Sequence, residues 1–153
     1  MRGARFLAIV FPVAACMAPT TTPSPTPAPA ARTTPAREPV DRVVAPGEPF
    51  ELGPGQTAEI RGTDERIRFA AVEEDSRCPT GAQCIVAGKA RIRLEVSRGG
   101  ERPAVVELGT AERSADAERD GHTIRLLELT PHPSTKRSIQ PADYRARLVV
   151  VSL

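Results

Sequence analysis

The stretch KARIRLEVS, Lys89–Ser97, alternates charged or polar side chains with small or aliphatic ones. The apolar face of this stretch holds Ala90, Ile92, Leu94 and Val96. A period of two over this length is typical of a β-strand with one buried face. The segment RIRFAAV at 66–72 repeats the pattern. The sequence therefore predicts strands that line a core with one face.

Four more segments have strand-like composition and lie between turn residues. They are TAEIRG at 57–62, RPAVVELG at 102–109, HTIRLLELT at 122–130 and DYRARLVVVSL at 143–153. About six or seven short strands favour an all-β fold, an antiparallel β-sandwich of immunoglobulin-like type, with a small open β-barrel as the alternative.

Two irregularities accompany this pattern. The alternation changes phase between Leu126 and Leu127, which predicts a β-bulge or burial on both faces. The stretch ERSADAERD at 112–120 has no strand alternation, and we expect at most a turn or two of helix there.

The N-terminus has the pattern of an export signal. Arg2 and Arg5 precede an apolar run, Phe6–Ala15, which is shorter than the about 20 residues needed to cross a bilayer. The last three residues of the signal and the cysteine after it, VAAC at 13–16, resemble a bacterial lipobox. That resemblance implies cleavage after residue 15 and acylation of Cys16. An ordinary signal peptide and an uncleaved anchor are the alternatives.

The resemblance to a lipobox also implies an address. Acyl chains on Cys16 would hold the protein to a lipid bilayer in the cell envelope without spanning it. Met17 follows the cysteine where an aspartate would signal retention in the inner membrane. The outer membrane is therefore favoured if the organism has two membranes.

A proline-rich segment follows the signal. Eight of the 16 prolines lie between residues 17 and 47, among threonine and alanine. Such a composition cannot bury enough apolar surface to fold, and it biases the chain toward extended polyproline II. Residues 16–47 are thus predicted to be a disordered linker that reaches on the order of 90 Å. A proline-rich recognition ligand is the alternative.

The remaining residues, 48–153, have the size of one domain. The whole chain carries a formal net charge of +2, and from residue 48 onward acidic and basic residues nearly balance. No basic footprint for nucleic acid remains. The domain has no Trp, and its aromatic residues are Phe50, Phe69 and Tyr144, too few for base-stacking or sugar-binding platforms.

Two cysteines, Cys78 and Cys84, remain in the domain once Cys16 is assigned to lipid. An even pair in an exported, oxidising compartment favours a structural disulfide. Pro79 and Gly81 between them suit a tight loop. A redox-active pair and a pair of metal ligands are the alternatives, although the spacing is neither Cys-x-x-Cys nor that of a zinc finger.

A family resemblance runs through this loop. The stretch DSRCPTGAQCIVAGKARIRLEV, 75–96, resembles the signature of an uncharacterised family of bacterial envelope lipoproteins. The later stretch LELTPHPSTKRSIQPADYRARLVV, 127–150, is also similar to that family. Val86 stands where the family pattern has an aromatic residue. The resemblance implies an envelope lipoprotein with a β-fold and carries no catalytic residues.

An enzymatic site is not expected. The only two histidines are His122, at a strand start, and His132, in a proline-flanked turn, and no serine has the Gly-x-Ser-x-Gly context of a hydrolase. No catalytic, metal or cofactor site is therefore predicted. The expected function is that of an anchored binding or structural module with an envelope protein partner. The alternative is an envelope enzyme or metal-handling lipoprotein whose site assembles from distant residues.

Strand parity suggests where a partner would bind. With six strands that simply alternate in direction, segments 74–86 and 110–120 share one end of the sandwich, and segments 98–101 and 131–142 share the other. The first end would then be acidic and would suit a basic partner or a Ca²⁺ ion. The predicted partner surface consists of Glu73, Glu74, Asp75, Arg77, Asp116, Glu118 and Asp120. The alternative is that these charges only keep the domain soluble.

Overall fold

The fold comes from a computed structural model, which describes residues 39–111, 115–119 and 121–152. The predicted signal peptide at 1–15, the lipidation site Cys16, most of the predicted linker and Asp120 lie outside these described residues. Within them, no helix has the length and hydropathy needed to cross a membrane.

The described part of the chain forms nine strands and one short 3₁₀ helix, Pro141–Asp143. The strands are β1 (Arg42–Val44), β2 (Phe50–Leu52), β3 (Thr57–Ile60), β4 (Glu65–Asp75), β5 (Ala90–Arg98), β6 (Ala104–Gly109), β7 (Asp116–Arg119), β8 (His122–Thr130) and β9 (Arg145–Ser152).

These strands form two sheets packed face to face. One sheet has the order β1-β3-β4-β5-β6 and the other the order β2-β9-β8-β7. All pairs are antiparallel except β1 with β3. The predicted β-sandwich is confirmed. Its strand order differs from that of an immunoglobulin constant domain, in which strands A, B, E and D form one sheet and strands C, F and G the other.

The core lies between the sheets and is built by the predicted alternation. Ile92, Leu94 and Val96 of β5 are buried, as are Ile67 and Phe69 of β4. The second sheet contributes Leu52, Ile124, Leu148 and Val150. Alternate residues of these strands therefore meet in one apolar layer, which excludes water from both inner faces.

The predicted bulge in β8 is present. The register between β8 and β9 shifts between Leu126 and Glu128. The extra residue is Leu127, which is 44% exposed while Leu126 and Leu129 are buried. The phase change thus marks a β-bulge and not burial on both faces.

Three short strands were not predicted. β1 lies inside the range 16–47 that was assigned to the linker, and Val44 is buried, so the predicted domain start at residue 48 is too late. β2 begins at Phe50 and adds an edge strand to the second sheet. β7 lies in the stretch that we expected to form helical turns, so that expectation is wrong.

Because β7 is an additional strand, the predicted alternation of strand directions is wrong for one loop, which lies at the other end of the sandwich. The chain reaches Thr110 beside Ala90, at the end of the sandwich where β4 finishes, as predicted. β7 then carries it to the opposite end before β8 returns. The connection between β8 and β9 therefore lies beside the loop that follows β4, and not at the opposite end.

Candidate functional site

Two connections meet at one end of the sandwich, and we call them together the cap. The first is the disulfide loop, residues 76–89 between β4 and β5; the second is the β8–β9 loop, residues 131–144. The predicted disulfide is present: Cys78 and Cys84, six residues apart in sequence, are bonded, with their Cα atoms 6.0 Å apart.

A buried ion pair fastens the disulfide loop to the second sheet. The side chains of Asp75 and Arg77 are each 8% exposed and bind each other through two charge-assisted hydrogen bonds, Nη2 to Oδ2 at 2.6 Å and Nε to Oδ1 at 2.8 Å. The guanidinium also donates to the carbonyl oxygens of Leu129 and Pro131. Because carbonyls and carboxylate together satisfy the charge, the arginine can remain buried.

Tyr144, the last residue of the β8–β9 loop, completes this network. Its hydroxyl donates to Oδ2 of Asp75 at 3.0 Å. Burial alone would raise the pKa of Asp75, but the hydrogen bonds and charge of Arg77, with the Tyr144 hydroxyl, outweigh it and hold that pKa below its usual value. Burial and the bond to Asp75 raise the pKa of Tyr144. Both groups therefore keep their charge states at neutral pH.

The two ends of the disulfide loop are in direct backbone contact. A Cβ added to Gly88 would lie 1.5 Å from the carbonyl oxygen of Ser76, so only glycine fits there. The hydroxyl of Ser76 donates to the carbonyl of Lys89 at 2.9 Å and accepts from its amide at 3.1 Å. The loop is thus closed twice, by the disulfide and by this neck.

The two cap loops also contact each other. Thr80 and Ser134 form a β-bridge, supported by the hydrogen bond from the Thr80 amide to the carbonyl of Pro133. Nε2 of His132 lies 3.1 Å from the carbonyl oxygen of Cys78. His132 is therefore a structural contact inside the cap.

An apolar tip projects from this rigid frame. Ile85 is 104% exposed and Val86 76%, and they follow Cys84 directly. The other exposed large apolar residues lie singly on strands, at Val43, Val105, Leu127 and Val151. Scattered single residues of that kind are ordinary, whereas two adjacent aliphatic side chains held in solvent by a disulfide need an explanation.

Two open cavities flank the Tyr144 ring and share Asp75. One, of about 370 Å³, is lined mainly by the β8–β9 loop, including Ser134, Thr135, Lys136, Arg137 and Ser138. The other, of about 350 Å³, runs along β4 past Ala71 and Glu73. The first cavity presents hydroxyl and cationic groups beside the disulfide loop.

The residues of the predicted partner surface do not come together. Asp75 and Arg77 are buried against each other. Glu73 pairs with Arg93 at 3.2 Å, and Glu74 lies 3.8 Å from Arg91. On the other sheet Asp116 pairs with Arg125 at 2.6 Å, while Glu118 is exposed on β7 and Asp120 lies outside the described residues.

The prediction of an acidic end is also wrong for the part of the chain that the structure describes, because the β8–β9 loop adds basic residues there. Asp143, the acid of that loop, pairs with Arg137 at 3.1 Å. Lys89 and Lys136 are exposed and form no ion pair with any described residue. The charge that remains unpaired on the cap is therefore positive.

Side chains that could bind a metal ion are not clustered in the described residues. No group of three His, Cys, Asp or Glu side chains is placed to hold a metal ion there. His122 lies at the end opposite the cap, where its Nδ1 is 2.7 Å from Oε2 of the buried Glu65. This pair joins the two sheets at that end.

Comparisons with known proteins give no further guide. No protein-family model, curated protein or solved structure matches this chain.

The sequence predicted the disulfide loop. It did not predict the exposed tip or the buried bonds by which Arg77 fastens the loop to the second sheet. Arg77 looks like one of many surface arginines in a chain rich in them. The tip had a signal: IV at 85–86 is an apolar pair inside a loop closed by Cys and Gly, where a polar pair would be ordinary.

Proposed function

We propose that this chain is a lipid-anchored lipoprotein of the cell envelope whose β-sandwich presents the cap as its contact surface. The lipobox at 13–16 and the proline-rich stretch that follows support the anchor and the stalk. The family resemblance of the Asp-Ser-Arg-Cys-Pro loop supports the same address. If the organism has two membranes, the outer membrane is the proposed location.

The proposed contact surface is supported by one observation: the exposed tip lies on a rigid loop. Ile85 and Val86 gain nothing for folding, since they lie outside the core cluster. The disulfide, the Gly88 neck and the buried Arg77 nevertheless fix the loop that bears them. A preorganised apolar surface binds without the entropy loss of ordering a flexible loop.

A non-catalytic role agrees with this arrangement. Each charged or polar side chain at the root of the cap makes a structural bond: Asp75 to Arg77, Ser76 to Lys89 and Tyr144 to Asp75. We therefore propose a binding module and assign it no reaction.

Replacement of Cys16 tests the anchor. In cells that produce Cys16→Ser, the protein should lose its acyl groups and leave the membrane fraction or accumulate unprocessed. Intact-mass analysis of the membrane-extracted wild type should show an acylated Cys16 as first residue. Mature protein that still begins at Met1 would overturn the proposal.

Replacement of the tip tests the contact surface without touching the anchor. The double variant Ile85→Ser and Val86→Ser should keep its acylation and thermal midpoint but lose contacts of the cap with other envelope components. Val43→Ser with Val105→Ser is the matched control, because both valines are exposed on edge strands away from the cap. Equal effects of the two double variants would remove the tip from the proposal.

A further inference from the structure

We propose that the cap docks on an anionic phospholipid bilayer, with the tip inserted among the lipids and the lysines at the level of the phosphates. The inference deepens the proposed function and rests on it for the tether. Three features of the cap support docking on a membrane: a protruding apolar tip, a rigid support and unpaired positive charge.

The shape of the tip suits a bilayer better than a folded protein. The residues around it, from Gly81 to Ala87, are all exposed, so the aliphatic pair stands out from the surface. A standard protein interface buries about 800 Å² on each partner. Here the flanking residues Thr80, Ala82 and Gln83 are small or polar. Lipids rearrange around a narrow apolar projection and need no complementary surface.

The tip is small, and the rigidity of the disulfide loop that bears it allows it to bind. The disulfide closes the loop, and the carbonyl of Ser76 packs against Gly88 at its neck. The bridge from Thr80 to Ser134 fixes the loop to its neighbour. The tip therefore enters the lipid without first losing conformational freedom.

The charge of the cap complements anionic head groups. Lys89 follows the tip by three residues, and Lys136 is two residues beyond the Thr80–Ser134 bridge. Neither ammonium group pairs with a described carboxylate. The cavity beside Lys136 adds the hydroxyls of Ser134 and Ser138, which can donate to phosphate oxygens. Lysines near an anionic membrane surface bind it without direct contact.

The anchor makes weak docking sufficient. A domain tied to a bilayer through an acylated Cys16 meets that bilayer at an effective concentration on the order of mM. The predicted linker is long enough to allow any orientation of the domain. An apolar tip with two lysines therefore selects one orientation, with the cap toward the membrane.

Tryptophan fluorescence in vesicles tests this orientation, because the chain contains no Trp. Gln83→Trp places one reporter beside the tip and leaves Ile85 and Val86 intact. Val105→Trp, on the edge strand β6, is the matched control. The membrane-extracted full protein carrying either reporter is reconstituted into phosphatidylglycerol vesicles whose acyl chains are brominated. Bromine should quench the Trp at 83 and leave the Trp at 105 nearly unchanged.

Three comparisons separate the contributions. Adding Ile85→Ser and Val86→Ser to the Gln83→Trp protein should abolish the difference between the reporters. Replacing Lys89 or Lys136 by Gln should lower the ratio of docked to free domain about fivefold for each lysine. In phosphatidylcholine vesicles, the unchanged Gln83→Trp protein should also show less quenching of the Trp at 83 than in phosphatidylglycerol vesicles.

The outcomes distinguish this inference from the proposed function. Equal quenching of the two reporters in an acylated protein would overturn the inference and leave the anchor standing. Selective quenching of the Trp at 83 in a protein that proves to carry no acyl group would do the reverse. Quenching that is unaffected by the serines at 85 and 86 would also overturn it, as would a protein partner that covers the tip in cells.

Discussion

Nδ1 of His122 lies 2.7 Å from Oε2 of Glu65, and the Glu65 side chain is wholly buried. The contact joins the first residue of β8 to the first residue of β4, so it ties the two sheets together at the end opposite the cap. Although the two atoms are close, neither carboxyl oxygen of Glu65 nor Nδ1 of His122 makes a hydrogen bond to a described residue. The pair is therefore close but incompletely satisfied.

This pair predicts an asymmetric response to mutation. His122→Leu alone should lower the free energy of unfolding by about 1–3 kcal/mol, because it leaves the polar side chain of Glu65 buried without its neighbour. The double variant Glu65→Leu with His122→Leu should be close to the wild type or more stable. Urea unfolding of the three proteins measures both effects. A double variant as unstable as the single one would show that the pair is more than a sheet contact.

Asp75 predicts how stability depends on pH in acid. Its pKa is lowered in the folded protein, so the unfolded chain takes up the proton first as the pH falls below about 4. The stabilisation it provides is complete above the unfolded pKa and is lost as the pH falls through the folded one. Asp75→Asn should be less stable at neutral pH and should show a shallower decline as the pH falls below about 4. Denaturant midpoints across this range test the slope.

Tyr144 predicts the opposite effect in base. Its pKa is raised, so the unfolded phenol ionises first above about pH 10, and the stability it provides is present below that pH and lost as the pH rises through the folded pKa. Tyr144→Phe should remove this loss and cost about 1 kcal/mol at neutral pH through the missing hydrogen bond to Asp75. Thermal midpoints at pH 7 and pH 11 compare the two proteins. An unchanged alkaline loss in Tyr144→Phe would contradict the assignment.

Gly88 predicts a severe packing defect. Gly88→Ala places a Cβ against backbone, 1.5 Å from the carbonyl oxygen of Ser76, so the neck of the disulfide loop must open. The control is Gly100→Ala, whose Cβ would meet nothing within 4 Å and whose positive φ should cost about 1–2 kcal/mol. We expect the substitution at 88 to destabilise the protein more than the control and to expose the cap to proteolysis. Equal thermal midpoints would show that the neck is not closed in solution.

A structural disulfide predicts that its removal lowers stability moderately and that the native protein does not reduce other disulfides. A closed loop of about seven residues corresponds to about 2.4 kcal/mol of chain entropy. Cys78→Ala with Cys84→Ala should lower the free energy of unfolding by roughly 1–3 kcal/mol. Free thiols on exported protein, or reduction of a test disulfide by the native protein, would contradict a structural role.

The extent of sequence prediction follows the strength of the alternation. β5 could be predicted residue by residue, because Ala90 and Ile92 are buried and Arg91 between them is exposed. β7 could not: its sequence DAER has no large apolar residue, and it is held by backbone pairing with β8. Missing that one strand reversed the predicted end of the β8–β9 loop and with it the predicted charge of the cap.

The site was harder to predict than the fold for a similar reason. The bond from Arg77 to the carbonyl of Leu129 spans 52 residues, and nothing in the local pattern announces it. Asp75 and Arg77 read as solvent-exposed charges in a loop, and only the folded chain shows that they are buried. The exposure of Ile85 likewise depends on which loops surround it.

Photo-cross-linking in living cells tests the central claim, that the cap is the surface through which this protein meets the envelope. A photoreactive residue is placed at Gln83, beside the tip, and in a second protein at Val105 on β6. The account predicts adducts with an envelope component from position 83, their loss when Ile85 and Val86 are serine, and few adducts from position 105. Equal adducts from both positions, or adducts at 83 that persist without the tip, would contradict it.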